Sequence, residues 1–270
     1  MKRTGNRRKK TQHVKPGHLL AMQAGFFNPR RYVAALVVVF TYMGHSSFAQ
    51  PFDLGSWNIM HLRHHLTSKW SLFGEAQVRS LKFYTHFHYY EYKGGVHYRA
   101  RPGLTLSLGL GDYDTYGEGG NFVVPKNNDE LRIWPQLALQ QSIGRFLVEQ
   151  RYRAELRFTS QGYRNRFRYR VGLSYPFGKE REGQRIFALN ANNELFFTDR
   201  EPYFERNRMS VFVTWKVQPQ LVLLAGYLHQ FDYRINDETG RDFLQIGVLA
   251  ETFRRKPVRE RSPKDHRIRL

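Results

Sequence analysis

The feature that most constrains this chain is a two-residue alternation held over segments too long for an ordinary sheet. In Asn165–Tyr175, Phe167, Tyr169, Val171 and Leu173 occupy one face, and Arg166, Arg168 and Arg170 the other. A helix would mix the two sets; an extended strand separates them, because successive side chains point to opposite sides. Phe146–Thr159 sets Val148, Tyr152, Ala154, Leu156 and Phe158 against Glu149, Arg151, Arg153, Glu155 and Arg157. Trp70–Ser80 sets Trp70, Leu72, Ala76 and Val78 against Glu75, Gln77 and Arg79. Asp129–Gln141 sets Leu131, Ile133, Leu137 and Leu139 against Glu130, Arg132, Gln136 and Gln140. Ile186–Thr198 sets Phe187, Leu189, Ala191, Leu195 and Phe197 against Asn190, Asn192 and Glu194. Arg241–Phe253 sets Leu244, Ile246, Val248 and Ala250 against Gln245 and Glu251.

Leu54–His65, Tyr89–Ala100, Leu104–Thr115, Asn207–Val217 and Leu221–Phe231 follow the same rule more weakly, for eleven segments of about 10–14 residues. Strands of globular sheets average ~5–6 residues. A tilted strand crossing a bilayer needs ~9–11. The expected fold is therefore all-β, an antiparallel transmembrane β-barrel of about 10–12 strands. Eleven is odd, whereas bacterial single-chain barrels are even. Either Leu54–His65 is not a wall strand and ten remain, or a twelfth is hidden.

Energetics choose the outward face. A lipid-facing arginine near the midplane costs ~2–4 kcal/mol, so three would cost on the order of 6–12 kcal/mol, as much as the whole stability of many domains. The apolar face must look outward and the charged face into the lumen. The lumen-lining candidates are Glu75, Gln77, Arg79, Glu130, Arg132, Glu149, Arg151, Arg153, Glu155, Arg157, Arg166, Arg168, Arg170, Asn190, Asn192 and Glu194. The expected arrangement pairs opposite charges on neighbouring strands and plugs the lumen. The alternative is a selective path or site for anions.

Connections alternate in length. Short ones centre on Ser68, Pro102, Gly144 and Pro219; longer ones span Tyr116–Asn128, Asp199–Arg206 and Asp232–Gly240, with Pro176–Gln184 longer than its side requires. Short turns at one end and long loops at the other are the habit of outer-membrane barrels. Two aromatic girdles are expected: Tyr84, Tyr89, Tyr90, Tyr92, Tyr113, Tyr116 and Tyr163 toward the long loops, and Trp70, Tyr98, Phe146, Tyr175, Phe177 and Trp215 toward the turns.

The net charge of +20 invites a nucleic-acid reading, but three quarters of it lies at the ends. Residues 50–253 carry 26 basic and 21 acidic residues. Residues 1–49 hold nine basic and no acidic residues, then the apolar run Tyr32–Met43 and Ser47-Phe48-Ala49. That is the form of a cleavable export signal, with Met22 as an alternative start. Residues 254–270 read as a basic, disordered tail. With no cysteine, disulfides, thiolate metal sites and a cysteine nucleophile are excluded. No uncharged apolar run approaches ~18 residues, so a helical bundle is excluded.

Candidate chemistry is sparse. His61, Arg63 and His65 share a strand face, but no third ligand completes a metal site. Ser68 lies near His65, and Ser80 near His86, without a hydrolase motif. No catalytic residue, metal or cofactor is expected. Expected partners are outer-membrane lipids and the barrel-insertion machinery, and not nucleic acid. The rival readings are an outer-membrane lipid-modifying hydrolase and a soluble periplasmic β-sandwich that binds a ligand.

Several runs carry a family resemblance: Glu75–Arg79, Gly109–Asn121, Asn128–Gln136, Glu149–Phe158, Arg164–Arg170 and Asn193–Phe196. Across about residues 57–253 the chain resembles domain-of-unknown-function family 2490, outer-membrane barrels of diderm bacteria. The resemblance implies a fold and a location; it brings no established activity and no functional residue. Phe253 fits the terminal aromatic that the insertion machinery reads, but seventeen residues follow it.

Overall fold

The computed structural model describes residues 54–233 and 239–253. The export signal over 1–49 and the tail over 254–270 lie outside the described residues. Eleven strands follow one another: β1 (Leu54–His65), β2 (Trp70–Lys82), β3 (Thr85–Arg101), β4 (Leu104–Gly117), β5 (Val123–Ile143), β6 (Phe146–Thr159), β7 (Gly162–Arg181), β8 (Gln184–Thr198), β9 (Phe204–Gln218), β10 (Leu221–Asp232) and β11 (Thr239–Phe253). Each pairs antiparallel with its sequence neighbours, and β1 pairs with β11 to close one barrel. One sheet closed on itself is not a sandwich, so that rival architecture is not what the chain forms.

Closure resolves the odd count. β1 and β11 pair in parallel, from Leu54 opposite Asp242 to His65 opposite Phe253. Leu54–His65 is a wall strand and no twelfth is present among the described residues, so neither ten nor twelve holds. Evenness is required only when the closing pair is antiparallel; a parallel seam removes the requirement. The row of partners from Trp57 through β2, β3 and β4 reaches Asn128 of β5. Followed the other way, through β11 to β6, the same row reaches Ser142, fourteen residues further along. Such a stagger over eleven strands tilts them by roughly 40–45°, the ordinary range of closed barrels.

The connections at one end, the turn end, are all short, and two at the other end, residues 83–84 and 160–161, are equally tight. Pro102-Gly103 connects β3 to β4 at the turn end, with Gly103 at φ 78°, a left-handed conformation that glycine adopts without strain. At the other end, the loop end, residues 118–122 and 199–203 make the longer connections. Two expected loops are mostly strand: β5 begins at Val123, and β7 and β8 continue to a tight turn at Glu182-Gly183. Long hairpins keep their backbone groups in ladder hydrogen bonds, which an open loop would leave to solvent.

The faces are inverted relative to a water-soluble domain. Met60, Leu72, Leu108, Leu110, Phe167 and Val211 are large, apolar and exposed. Arg79, Glu91, Glu130, Arg132, Glu155, Arg166 and Glu194 are buried inside. Tyr89 and Tyr113 depart from the expected girdle: both are buried in the lumen. Their parity on β3 and β4 is that of Glu91 and Gly111, so the pleat turns them inward.

Candidate functional site in the charged lumen

A cavity of about 1040 Å³ runs inside the barrel, its lining reaching from Lys69 and Gly103 at the turn end to Glu118 and Arg241 at the loop end. Of the sixteen candidate residues, Glu75, Gln77, Arg79, Glu130, Arg132, Glu149, Arg151, Arg153, Arg157, Arg166, Arg168, Arg170, Asn192 and Glu194 line it. Glu155 and Asn190 do not. Glu155 is covered by the guanidiniums that bind it. Asn190 turns its amide onto the wall, donating to the Ala188 carbonyl at 3.0 Å and to Thr214 Oγ1 at 3.2 Å.

The pairing differs from the expected rungs. Residues directly opposite one another are often both cationic: Arg132 with Arg157, Arg151 with Arg170, Arg153 with Arg168. Like charges in register repel, so glutamates are shared: Glu155 faces Arg166 in register and reaches Arg168 as well, and Glu130 and Glu194 each bind two arginines. Glu155 accepts from Arg166 Nε at 2.8 Å and Arg168 Nη1 at 2.6 Å, with Arg153 Nη1 at 3.5 Å. Glu130 takes a two-pronged contact from Arg132, Nε at 2.6 Å and Nη2 at 2.9 Å, and also binds Arg157. Glu194 binds Arg168 at 2.8 Å and, from β8 to β6, Arg151. Glu205 of β9 reaches Arg166 of β7 at 3.1 Å. Such forked, shared contacts suit guanidinium better than ammonium. The one lumen lysine in the network, Lys93, bridges Glu75 and Glu91, both at 2.5 Å.

Aromatic rings complete a layer across the lumen. Arg79 lies between Trp57 and Tyr89, its guanidinium carbon 3.4 and 3.9 Å from the ring centres. Arg132 sits 3.7 Å over Tyr113. Arg208 bridges Trp57 at 4.8 Å and Phe196 at 4.7 Å, linking β1 to β8 across the interior. Phe196 is fully buried, with Arg168 at 4.5 Å on the same ring. Cations desolvated over a ring face gain ~2 kcal/mol or more each. Trp57 donates to Gln77 Oε1 at 2.8 Å, which fixes the central ring. Trp134 lies flat on the wall because Gly109 lies beneath it; a Cβ there would stand 2.4 Å from the indole.

Sequence reasoning missed Glu91, Lys93, Trp134, Phe196, Glu205, Arg206, Arg208 and Asp232 as lumen residues. Parity marks most of them: Trp134 shares it with Arg132, and Phe196 with Glu194. The irregularity between Phe196 and Phe197, where β8 meets β9, brings Glu205 inward as well as Arg206.

Residues 54–241 match the family model described as "Protein of unknown function (DUF2490)". The chain belongs to this family. No curated protein and no solved structure matches it. In this DUF2490 chain the histidines take wall positions. His61 Nδ1 pairs with Glu75 at 2.8 Å and His65 Nε2 with Glu251 at 3.2 Å. Ser80 is bonded to Ser56, Oγ to Oγ at 2.6 Å, while His86 contacts Thr85 at 3.3 Å. Outside the lumen, Asp112, Asp114 and Asp129 cluster near the loop end, with Lys126 Nζ 2.8 Å from Asp114 as their resident cation.

Proposed function

We propose that this protein is an outer-membrane β-barrel of a diderm bacterium, a binding or structural barrel whose lumen is closed to free diffusion. One observation carries the membrane reading: the outward face is an apolar belt of leucines, valines and aromatic rings, while the charges are inside. In water the belt would aggregate, because an exposed apolar surface of this extent has no aqueous use in a monomer. Around a barrel it matches hydrocarbon. Trp70, Phe146 and Trp215 ring the turn end on the outer face, as interfacial aromatics do. The export signal read in the sequence supports the same location, with the turn end facing the periplasm.

The transverse layer of Arg79, Trp57, Arg208 and Phe196 supports closure over conduction. The experiment is membrane fractionation with gel mobility before and after boiling, combined with single-cysteine labelling in a chain that has no native cysteine. Leu108→Cys is expected to resist a water-soluble maleimide in membranes and Met60→Cys likewise. Recovery of the mature chain in the soluble periplasm, or full labelling at both positions, would overturn the proposal.

A further inference from the structure

The half of the lumen toward the turn end has two unlike walls. The arc β9–β10–β11–β1 contributes Phe212, Leu224, Leu249 and Ile59 to the cavity, and the arc β6–β7 contributes Arg151 and Arg170. The charge of the lumen as a whole is not balanced. Leaving aside the rim residues Lys69, Arg99, Glu118 and Arg241, twelve Arg and Lys side chains line the cavity against seven Asp and Glu. Glu155 behind the lining raises the acids to eight, and four positive charges still lack a carboxylate. Charge withdrawn from water without a counter-charge is costly, so an anion that enters gains what the wall does not supply. The Nε atoms of Arg63, Arg151 and Arg170 are buried with no protein hydrogen-bond partner. Among the described residues Arg63 forms no ion pair at all, although it faces the cavity near the turn end.

We infer that this half of the lumen binds an anionic single-chain amphiphile, with a carboxylate or phosphate head and an alkyl tail. The head takes the open Nε donors of Arg151 and Arg170, which are direct register partners and whose Nη2 atoms already hold Glu194 and Glu149. The tail lies along Phe212, Leu224 and Leu249. Arg63 supplies attraction at the mouth. A plain anion would use the arginines and leave the apolar arc wet; a neutral lipid would use the arc and leave the open Nε donors and the cationic surplus of the lumen unanswered. The whole lumen cavity measures about 1040 Å³, so a part of it falls within the ~300–1,000 Å³ range of small-molecule sites. The inference deepens the reading above and rests on it for a lumen walled by lipid.

The test titrates the folded full-length barrel, in non-ionic detergent, with dodecanoate, dodecyl phosphate, inorganic phosphate and dodecyltrimethylammonium, by native mass spectrometry. Dodecanoate and dodecyl phosphate are expected to bind one per barrel and to compete. The tighter of the two assigns a fatty-acid or a phospholipid-derived source, and either supports the inference. Arg63→Gln, which breaks no ion pair, is expected to weaken binding about three-fold, Arg170→Gln ten-fold or more, and Leu249→Gln five-fold or more. Equal binding of the trimethylammonium chain, displacement by inorganic phosphate as effective as by dodecyl phosphate, or wild-type affinity in all three variants would overturn it. Gel mobility of each unboiled sample keeps failures apart. A folded barrel that takes none of the probes overturns this inference alone. A chain with no heat-modifiable form overturns the barrel reading.

Discussion

At the scale of single residues, Glu155 is the position on which the lumen network depends most. It is all but unexposed and serves Arg153, Arg166 and Arg168. Breaking a buried ion cluster by removing its shared anion costs on the order of 3–5 kcal/mol, because the cations stay desolvated. Glu155→Gln is therefore expected to lower the urea midpoint of the folded barrel by that equivalent, whereas Arg63→Gln, with no partner to orphan, changes it by less than about 0.5 kcal/mol. At the loop-end rim, Asp199 accepts from the Asn165 side-chain amide at 2.7 Å and from its backbone N–H at 3.3 Å. The side-chain contact, acting first, holds the Asp199 carboxyl below its ordinary value of 3.8. A depressed folded value means that the contact contributes above the unfolded pKa and is lost as pH falls through the lower, folded one. The Asn165 amide resonance is expected to titrate at a pH below 3.8; a midpoint at or above that value would contradict the hydrogen bond.

At the scale of elements, the parallel seam is the most exacting feature. Ordinary hairpin closure needs only neighbours in sequence, but β1 must find β11 across the whole chain and align His64 with Thr252, whose side chains lie 2.8 Å apart. A cysteine pair at His64→Cys and Thr252→Cys is expected to oxidise into one intramolecular disulfide, detectable as a mass loss of about two hydrogens and resistance to strand exchange, since facing positions fall within disulfide reach. Free thiols under oxidising conditions would exclude the seam. The seam also admits no bulk at its start: a Cβ on Gly55 would stand 2.4 Å from the Ser80 carbonyl and 2.7 Å from the Phe243 ring. Gly55→Val is expected to reduce the fraction of folded, heat-modifiable barrel, at a cost of about 1–3 kcal/mol for overpacking. How legible these elements were follows from the same distinction. Phe146–Thr159 announces β6 residue by residue, because Arg and Glu alternate with apolar side chains. β3 carries Tyr89, Tyr90 and Tyr92 on both faces, so the lumen role of Tyr89 and Glu91 was hidden until the pairing of Arg79 with Tyr89 set the pleat.

At the scale of the whole molecule, conduction is the property at issue. In the proposed reading, a layer of rings and guanidiniums from β1, β2, β8 and β9 closes the lumen. Wild type is expected to give no step conductance in planar bilayers. Trp57→Ala combined with Arg208→Ala removes the bridge between opposite walls, and step currents favouring anions are expected, given the cationic surplus of the lining. A silent double variant that still migrates as folded barrel would place the closure elsewhere, and an already conducting wild type would make the protein a pore.

The alternation of side chains is a property of residues two apart, and for that reason much of the wall was legible in the sequence: most strand positions, the charged inward face and the fourteen of sixteen candidates that line the cavity needed no neighbour to be read. The parallel seam, the sharing of Glu155 and Glu130 among several arginines, and the stacking of Arg79 between Trp57 and Tyr89 needed the tertiary structure. Each depends on which strands pair and in what register: Trp57, Arg79 and Tyr89 stack because the β1–β2 and β2–β3 pairings set them side by side. A shift in such a pairing would carry different side chains to the same height in the lumen, and no pattern within one strand records the register of its partner.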